Sequence, residues 1–107
     1  RKQWLAGVLE VRGELRIDEV ATRALHSGNS LLPVGVVQVT GNFRRGDVVT
    51  VVGPNGTELG RGLTEYSDAD AARLKGCQSE QIEQRLGYRG RSVMIHRDEL
   101  VLFDSDS

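Results

Sequence analysis

The sequence predicts an α+β fold, a mixed β pseudo-barrel of five or six strands with short flanking helices. Short stretches rich in Val and Leu alternate with short helical stretches that begin at good N-cap residues. Long connections between some of the predicted strands argue against a simple meander. At 107 residues the chain is long enough for one domain with a hydrophobic core of its own.

The first third of the chain predicts a helix, a strand and a second helix. Residues 3–11 have the apolar spacing of a helix, and residues 15–17 alternate as a short strand. Asp18 suits the N-cap of the second helix, and Gly28 suits its end. The apolar stripe of this helix is predicted from Val20, Ala21, Ala24 and Leu25.

The middle of the chain predicts a run of strands. They lie at 31–40, 48–52 and 58–63. Pro33 places its end of the first strand at a sheet edge or a bulge, because proline cannot donate to a β-ladder. Residues 53–56 read Gly-Pro-Asn-Gly, which is typical of a tight hairpin turn. The spacing of Gly60 and Gly62 indicates a bulge or the close approach of another backbone.

The last third predicts two short helices and a closing β segment. Ser67 begins the first helix with an acid, Asp70, three residues later, and Gly76 ends it. The second helix begins near Ser79 and ends at Gly87, with Ile82 and Leu86 facing inward. Residues 93–96 and 100–103 form either a strand pair or one bent strand.

The chain is expected to be part of a longer protein, since it begins at Arg1 and its only methionine is Met94. Three parts are predicted. Residues 1–12 form a linker or helix that continues from a preceding domain, residues 13–103 form the folded domain, and residues 104–107 form a disordered tail.

Charge and cysteine content narrow the classes of partner and compartment. The net charge is -1, so the chain lacks the strongly basic balance that is usual for tight nucleic-acid binding. Twelve of the fourteen basic residues are Arg, which leaves a local anion-binding patch open. No apolar run is long enough to span a bilayer, and the single cysteine, Cys77, fits a reducing compartment. We therefore predict a cytoplasmic protein that does not bind membranes.

The sequence contains no complete catalytic set, phosphate-binding loop or metal-ligand spacing. His26 and His96, with one cysteine in the chain, are too few for a structural zinc site. Acids at Glu65, Asp68 and Asp70 are interpreted as carboxylates near the start of a helix, where the dipole favours them. We predict no catalytic, cofactor-binding or metal-binding residue in this chain.

Base stacking on single-stranded nucleic acid is weakly supported, because the chain has only five aromatic residues. Tyr66 and Tyr88 are predicted to be the exposed ones. His96 is predicted to lie in a strand as a hydrogen-bonded structural residue.

The order of motifs resembles the signature of a PUA domain. Residues 28–52 read GNSLLPVGVVQVTGNFRRGDVVTVV, in which a helix end leads to a Pro-x-Gly-Val element, a Phe-x-x-Gly-Asp turn and a Val-rich strand. Further segments narrow the resemblance to the C-terminal PUA domain of the bacterial glutamate 5-kinase (gamma-glutamyl kinase) family. These segments are KQWLAG, ELGRGLTEYS, LGYRG and VMIHRDELVL, and the resemblance covers residues 2–102. The family usually has Gly at the position of Val20 and Asn at that of Glu99.

The resemblance implies a parent enzyme that phosphorylates the γ-carboxylate of L-glutamate with ATP and Mg²⁺ in proline biosynthesis. It also implies that the ATP, glutamate and proline sites lie in an amino-acid-kinase domain outside this chain, from which residues 1–12 continue. On this basis the chain itself is predicted to be neither an enzyme nor a cofactor-binding unit.

Two functions follow from the resemblance. The leading hypothesis is an accessory domain that supports assembly or regulation, burying an apolar patch against the kinase domain or another subunit. The alternative is an RNA-binding module, because PUA domains elsewhere bind RNA through the first helix and the strand after it. The candidate RNA or anion surface comprises Arg23, Asn29, Ser30, Arg44 and Arg45.

Overall fold

A computed structural model describes residues 10–88 and 90–103 of the chain. The strands are β1 (Gly13–Ile17), β2 (Val36–Gly41), β3 (Val48–Val52), β4 (Glu58–Leu63) and β5 (Leu100–Leu102). The helices are α1 (Glu19–His26), α2 (Asp68–Leu74) and α3 (Ile82–Leu86). Single 3₁₀ turns at Pro33–Gly35, Ser79–Gln81 and Arg97–Glu99 precede β2, α3 and β5.

The five strands form one mixed sheet in the order β2-β1-β3-β4-β5. β1 runs parallel to β3, and the other neighbouring pairs are antiparallel. The predicted α+β class is therefore confirmed. Within residues 10–88 and 90–103 the sheet is not closed into a barrel, because β2 and β5 occupy opposite edges.

The core is formed where the helices pack against the sheet. β3 is buried along its whole length, as expected of a central strand made almost entirely of valine. α2 contributes Leu74 to this core and α3 contributes Ile82 and Leu86, so the predicted inward faces of the third helix are confirmed. Cys77, which follows α2, is also buried, and its thiol donates a hydrogen bond to the carbonyl of Gln78 at 3.3 Å.

The hairpin between β3 and β4 forms where the sequence predicts it. Gly56 has φ of 83°, a conformation that glycine adopts without strain, and the Gly53 amide donates to the Thr57 carbonyl at 2.9 Å. The predicted close approach is confirmed at Gly60. A Cβ placed on Gly60 would lie 2.2 Å from the Val101 carbonyl oxygen of the neighbouring β5.

One predicted strand is shorter than expected and another does not form. The strand predicted at 31–40 begins only at Val36, because Pro33 lacks an amide proton and starts a 3₁₀ turn at Pro33–Gly35. Leu31 makes only an isolated antiparallel bridge with Ile95. The prediction of a strand at 93–96 was wrong: Met94 and Ile95 are buried, but the segment pairs only at Ile95, through the same bridge with Leu31.

The apolar stripe predicted for α1 was wrong at Val20, whose side chain is 70% exposed. Leu25 is the buried residue of this helix, and Val20 lies five residues before it, about 140° around the helix axis. Asp18 is confirmed as the N-cap, since its carboxylate accepts a hydrogen bond from the Ala21 amide at 2.8 Å.

Some predictions fall on residues that the structure does not describe. Residues 3–9 of the predicted first helix and the predicted tail at 104–107 lie outside the described residues, whereas residues 10 and 11 are not helical. The division into parts at residues 12 and 103 stays a prediction. Among the described residues, no helix has the length and apolar character needed to cross a membrane.

Candidate functional site

A cleft of about 500 Å³ lies between α1 and the segment that leads into β2. Aliphatic side chains dominate its lining, and we call it the apolar groove. Its six aliphatic residues are Val20, Ala21, Ala24, Leu31, Leu32 and Val34. Asp18 is the one charged residue among the residues that line it.

The start of α1 is fixed to the opposite wall of the apolar groove. The Asp18 backbone amide donates to the Gly35 carbonyl at 3.0 Å, while the Asp18 carboxylate caps the helix. The Thr22 hydroxyl adds a hydrogen bond to the Asp18 carbonyl at 2.8 Å. This one residue therefore sets both the position of the helix and its distance from the wall.

Gly35 allows the two walls of the groove to meet closely. A Cβ on this residue would lie 2.5 Å from the Cβ of Ala21, which is closer than real carbon atoms approach. The short side chain of Ala21 and the missing side chain of Gly35 together bring the helix against the turn. Leu31 completes the floor, with its amide donating to the Ile95 carbonyl at 2.9 Å.

Exposed apolar side chains concentrate at this groove. Among the described residues, the large apolar side chains that are exposed are Val20, Leu32, Val34, Val37 and Tyr88. Three of the five, Val20, Leu32 and Val34, line the apolar groove. Scattered apolar residues are normal on a soluble protein, but a cluster of them around a cleft indicates a contact surface.

The residues predicted to bind RNA or anions are divided between different regions. Arg23 is exposed on α1, and Asn29 and Ser30 line one end of the apolar groove. The Ser30 hydroxyl accepts a hydrogen bond from the Arg97 amide at 2.9 Å, which gives it a structural task. The structure does not bring Arg44 and Arg45 to the groove, because they lie in the connection from β2 to β3 and line other clefts.

Arg45 lies beside a second cleft, of about 480 Å³, which we call the mixed-charge cleft. Its titratable residues are Arg45, Glu65, Tyr66, Asp70, Tyr88 and Arg91. One carboxylate oxygen of Glu65 lies 3.0 Å from Nε of Arg91 and 3.8 Å from Nε of Arg45. The Glu65 side chain is only 20% exposed, so the two guanidinium groups compensate a carboxylate that is largely withdrawn from water.

The two tyrosines of this cleft differ in exposure. The prediction that Tyr66 is exposed was wrong: it is 4% exposed, its hydroxyl donates to the Arg91 carbonyl, and burial raises its pKa above the ordinary 10.0. Tyr88 is exposed as predicted. Its hydroxyl donates to the Asp70 carboxylate at 2.5 Å, and this hydrogen bond raises the pKa of Tyr88.

The two histidines that were considered as candidate site residues contact nearby backbone groups. His96 is exposed and not in a strand as predicted; its Nδ1 accepts from the Asp98 amide at 3.1 Å and so caps the 3₁₀ turn before β5. His26, the last residue of α1, lies 3.0 Å from the Thr22 carbonyl through Nδ1. Residues 10–88 and 90–103 contain no group of three His, Cys, Asp or Glu side chains that could hold a metal ion.

The sequence did not identify the apolar groove, although it predicted an apolar patch of unstated position. Two of its exposed residues, Leu32 and Val34, fall within the strand predicted at 31–40. The run Leu31-Leu32-Pro33-Val34 is more apolar than the alternation of an edge strand requires. This excess of apolar residues was the feature of the sequence that could have indicated an exposed apolar surface here.

A family model described as "PUA domain" matches residues 13–86. The glutamate 5-kinase of Nitrobacter winogradskyi is 58% identical over 102 residues, which are 95% of this chain and 27% of that relative. The glutamate 5-kinase of Rhizobium rhizogenes is 52% identical over 102 residues, 95% of this chain and 26% of that relative. The chain thus spans about a quarter of the length of the curated relatives that it matches.

Solved structures with a similar fold include a PUA domain from Aeropyrum pernix K1 in a tartrate complex. It is 29% identical with a TM-score of 0.58, and the match covers 78% of this chain and 41% of that one. An H/ACA ribonucleoprotein bound to a substrate RNA has a chain that is 16% identical with a TM-score of 0.58. That match covers 89% of this chain and 25% of the other, and it shows the likeness of fold alone.

Proposed function

Because the chain belongs to the PUA domain family, we propose that it is the accessory PUA domain of a glutamate 5-kinase and supports the assembly or regulation of that enzyme. In this proposal the parent is a cytoplasmic enzyme that transfers a phosphoryl group from ATP to the γ-carboxylate of L-glutamate. The chain itself takes no part in the chemistry, and its partners are the amino-acid-kinase domain and other subunits.

We assign ATP and Mg²⁺ to the amino-acid-kinase domain, because the three clustered acids Glu65, Asp68 and Asp70 are a poor fit for a magnesium site. Glu65 faces two guanidinium groups. Asp68 accepts a hydrogen bond from the Phe43 amide at 3.2 Å, and Asp70 accepts one from the Tyr88 hydroxyl. Magnesium prefers carboxylates that are free to face the ion and its waters, so these three carboxylates would have to give up their present partners.

The apolar groove is the single observation that carries the accessory role. It presents aliphatic side chains to solvent at a surface whose walls are already fixed, which is typical of protein contact sites. A domain that docks in this way changes an enzyme only if its contacts differ between two states of that enzyme. The accessory domain would therefore act by stabilising one arrangement of the kinase.

RNA binding is the second candidate function. Solved structures with this fold include a ribonucleoprotein bound to RNA, and Arg23 and Asn29 are exposed at or near the groove. Against it, the chain has a net charge of -1, and Arg45 lies beside the Glu65 carboxylate. Phosphate neutralisation supplies most of the affinity of such complexes, so this surface is weakly suited to RNA.

The accessory role is tested by comparing the full-length parent with a version that lacks the residues of this chain. We expect the truncated enzyme to keep glutamate phosphorylation and to change in the number of subunits per particle, as measured by light scattering, in sensitivity to proline, or in both. A truncated enzyme that matches the parent in both properties would refute the accessory role.

RNA binding is tested with the full-length parent in a gel-shift titration across a salt series. The phosphate contribution is largest at low salt, so the lowest salt concentration gives the most sensitive condition. We expect no shift there. A shift that weakens steeply with salt, and that is lost when Arg23 is replaced by Ala, would favour the RNA-binding function instead.

A further inference from the structure

We propose that the apolar groove is the surface on which the amino-acid-kinase part of the parent chain docks. This inference rests on the proposed function and adds to it a location and a partner. The groove is defined, as above, by Val20, Ala21, Ala24, Leu31, Leu32 and Val34.

The groove is an apolar surface that lacks a covering partner among the described residues. Val20 is 70% exposed, and Leu32 and Val34 are also exposed, although each is a large aliphatic side chain. Burying such side chains removes apolar area from water and favours association. The core of a protein interface has this composition, with charged residues depleted at its centre.

The walls of the groove are already joined by contacts within the chain. Asp18 holds the start of α1 to the Gly35 carbonyl, and Gly35 itself contacts Ala21 at a distance that only glycine permits. Docking therefore requires little ordering of this side of the interface. A preformed surface keeps more of the energy of apolar burial as binding energy.

Charge argues for a protein partner in the groove and against RNA. Asp18 is the one charged residue in its lining, and neither Lys nor Arg is part of that lining. A phosphate backbone placed there would meet an acid and aliphatic side chains, without a cation to neutralise it. An apolar side chain of a protein, with its polar neighbours facing Asn29 and Ser30 at the end of the groove, meets complementary chemistry.

The length of the relatives makes a partner within the same polypeptide available to the groove. The 102 residues that match the Nitrobacter winogradskyi glutamate 5-kinase are 27% of that protein, so the greater part of a comparable parent lies outside this chain. A covalently connected partner is present at a high effective concentration, so a small apolar contact is sufficient for docking. Interfaces between domains of one chain are often small in buried area.

The test uses the full-length parent with two acids placed in the groove, Val20→Glu and Leu32→Glu together. Glu in the first turn of α1 is compatible with the helix dipole, and both side chains are exposed, so the fold of the domain should persist. The matched control is Val37→Glu. Val37 is a 50% exposed aliphatic residue on β2 that does not line the groove.

Hydrogen–deuterium exchange and small-angle X-ray scattering supply the measurements. In the double variant we expect the amides of α1 to exchange roughly tenfold faster or more, because their protection by the docked kinase part is lost. The radius of gyration should increase as well. The Val37→Glu parent should match the unmodified enzyme in both measurements.

Each outcome decides the inference. A double variant that exchanges and scatters like the unmodified parent would refute docking in the groove, and so would a control that opens equally. If thermal unfolding shows that the double variant has lost its fold, the pair Val20→Ala and Leu32→Ala replaces it, with the same expected direction. Low-salt RNA binding that the double variant abolishes would show that the occupant is RNA, which also overturns the inference.

The truncation described for the proposed function separates the two failures. If truncation alters the number of subunits per particle or the proline sensitivity while the groove variants behave like the control, the accessory role stands and the groove is the wrong surface. If truncation has no effect either, the accessory role itself fails.

Discussion

Two clefts of nearly equal size differ in whether their lining side chains have interaction partners within the chain. The apolar groove beside α1 has a volume of about 500 Å³ and the mixed-charge cleft about 480 Å³. The charged groups of the second cleft have partners nearby: Glu65 lies beside two arginines and Asp70 beside the Tyr88 hydroxyl. Val20, Leu32 and Val34 of the first cleft remain in contact with water.

The difference shows that volume is a poor guide to which cleft needs a partner. A ligand entering the mixed-charge cleft would have to replace hydrogen bonds and ion pairs that already exist, with little net gain. A partner entering the apolar groove removes aliphatic surface from water and breaks nothing. The difference between the clefts therefore depends on two features: close contact between the groove walls, and hydrogen bonds and ion pairs within the mixed-charge cleft. Both can be tested by substitution.

The largest effect is expected for Gly35→Val, which breaks a wall of the apolar groove. The new Cβ would overlap with the Cβ of Ala21 at 2.5 Å, so the 3₁₀ turn must move away from α1. We expect the free energy of unfolding to fall by about 2 kcal/mol, measured by urea denaturation. Val34→Ala in the same turn changes an exposed side chain and should stay within about 0.5 kcal/mol. A Gly35→Val protein as stable as the control would show that the walls are not in tight contact.

A smaller loss is expected for Tyr66→Phe in the mixed-charge cleft. The substitution removes the half-buried hydroxyl that donates to the Arg91 carbonyl while keeping the aromatic ring in the core. We expect the free energy of unfolding to fall by about 1.5 kcal/mol, measured in the same denaturant series. Tyr88→Phe, which alters the exposed tyrosine, is the control and should cost less. An equal cost at both positions would contradict the difference in their environments.

Asp18→Ala removes the N-cap of α1 and is expected to cost about 1 kcal/mol. The carboxylate bond to the Ala21 amide is lost, while the backbone bond from residue 18 to the Gly35 carbonyl can persist. Asp18→Asn keeps a capping oxygen and should recover most of the stability, as measured by thermal unfolding. A protein in which Asn is no better than Ala would show that the cap does not hold this wall.

The smallest effect concerns the pKa of Tyr88. Its hydrogen bond to the Asp70 carboxylate raises the pKa above 10.0, so the folded protein holds this proton more tightly than the unfolded chain. The stabilising contribution is complete below pH 10 and is lost as the pH rises through the folded pKa. Asp70→Asn should lower the pKa of Tyr88 toward its ordinary value. Absorbance titration of tyrosinate in a Tyr66→Phe background measures Tyr88 alone, and an unchanged midpoint would contradict the pairing.

The sequence correctly predicted those elements whose formation is determined by residues close to one another in the chain. The strands at 48–52 and 58–63 have the predicted bounds, because a valine run and a Gly-Pro-Asn-Gly turn fix the hairpin from within. The cap at Asp18 and the inward faces of Ile82 and Leu86 were likewise predicted from short-range patterns.

The errors occur where distant residues determine the environment. Tyr66 is buried because its ring reaches the core and its hydroxyl meets the carbonyl of Arg91, 25 residues later. Val20 points outward because only the face of α1 that bears Leu25 packs on the core. The apolar run at 31–34 signalled an exposed apolar surface, but the groove itself depends on the close approach of Ala21 and Gly35, which the sequence alone does not reveal.

The position of β1 inside the sheet, second from one edge, has a consequence for how the chain folds. β1 precedes its neighbours in sequence, yet it lies between β2 and β3 and pairs in parallel with β3. The β3–β4 hairpin can form early because its turn closes over few residues, whereas β1 must wait until its distant partner is in place. We therefore expect the joining of β1 and β3 to limit the folding rate. Until β1 pairs with it, the valine-rich strand β3 would have one unpaired backbone edge that could associate with other chains.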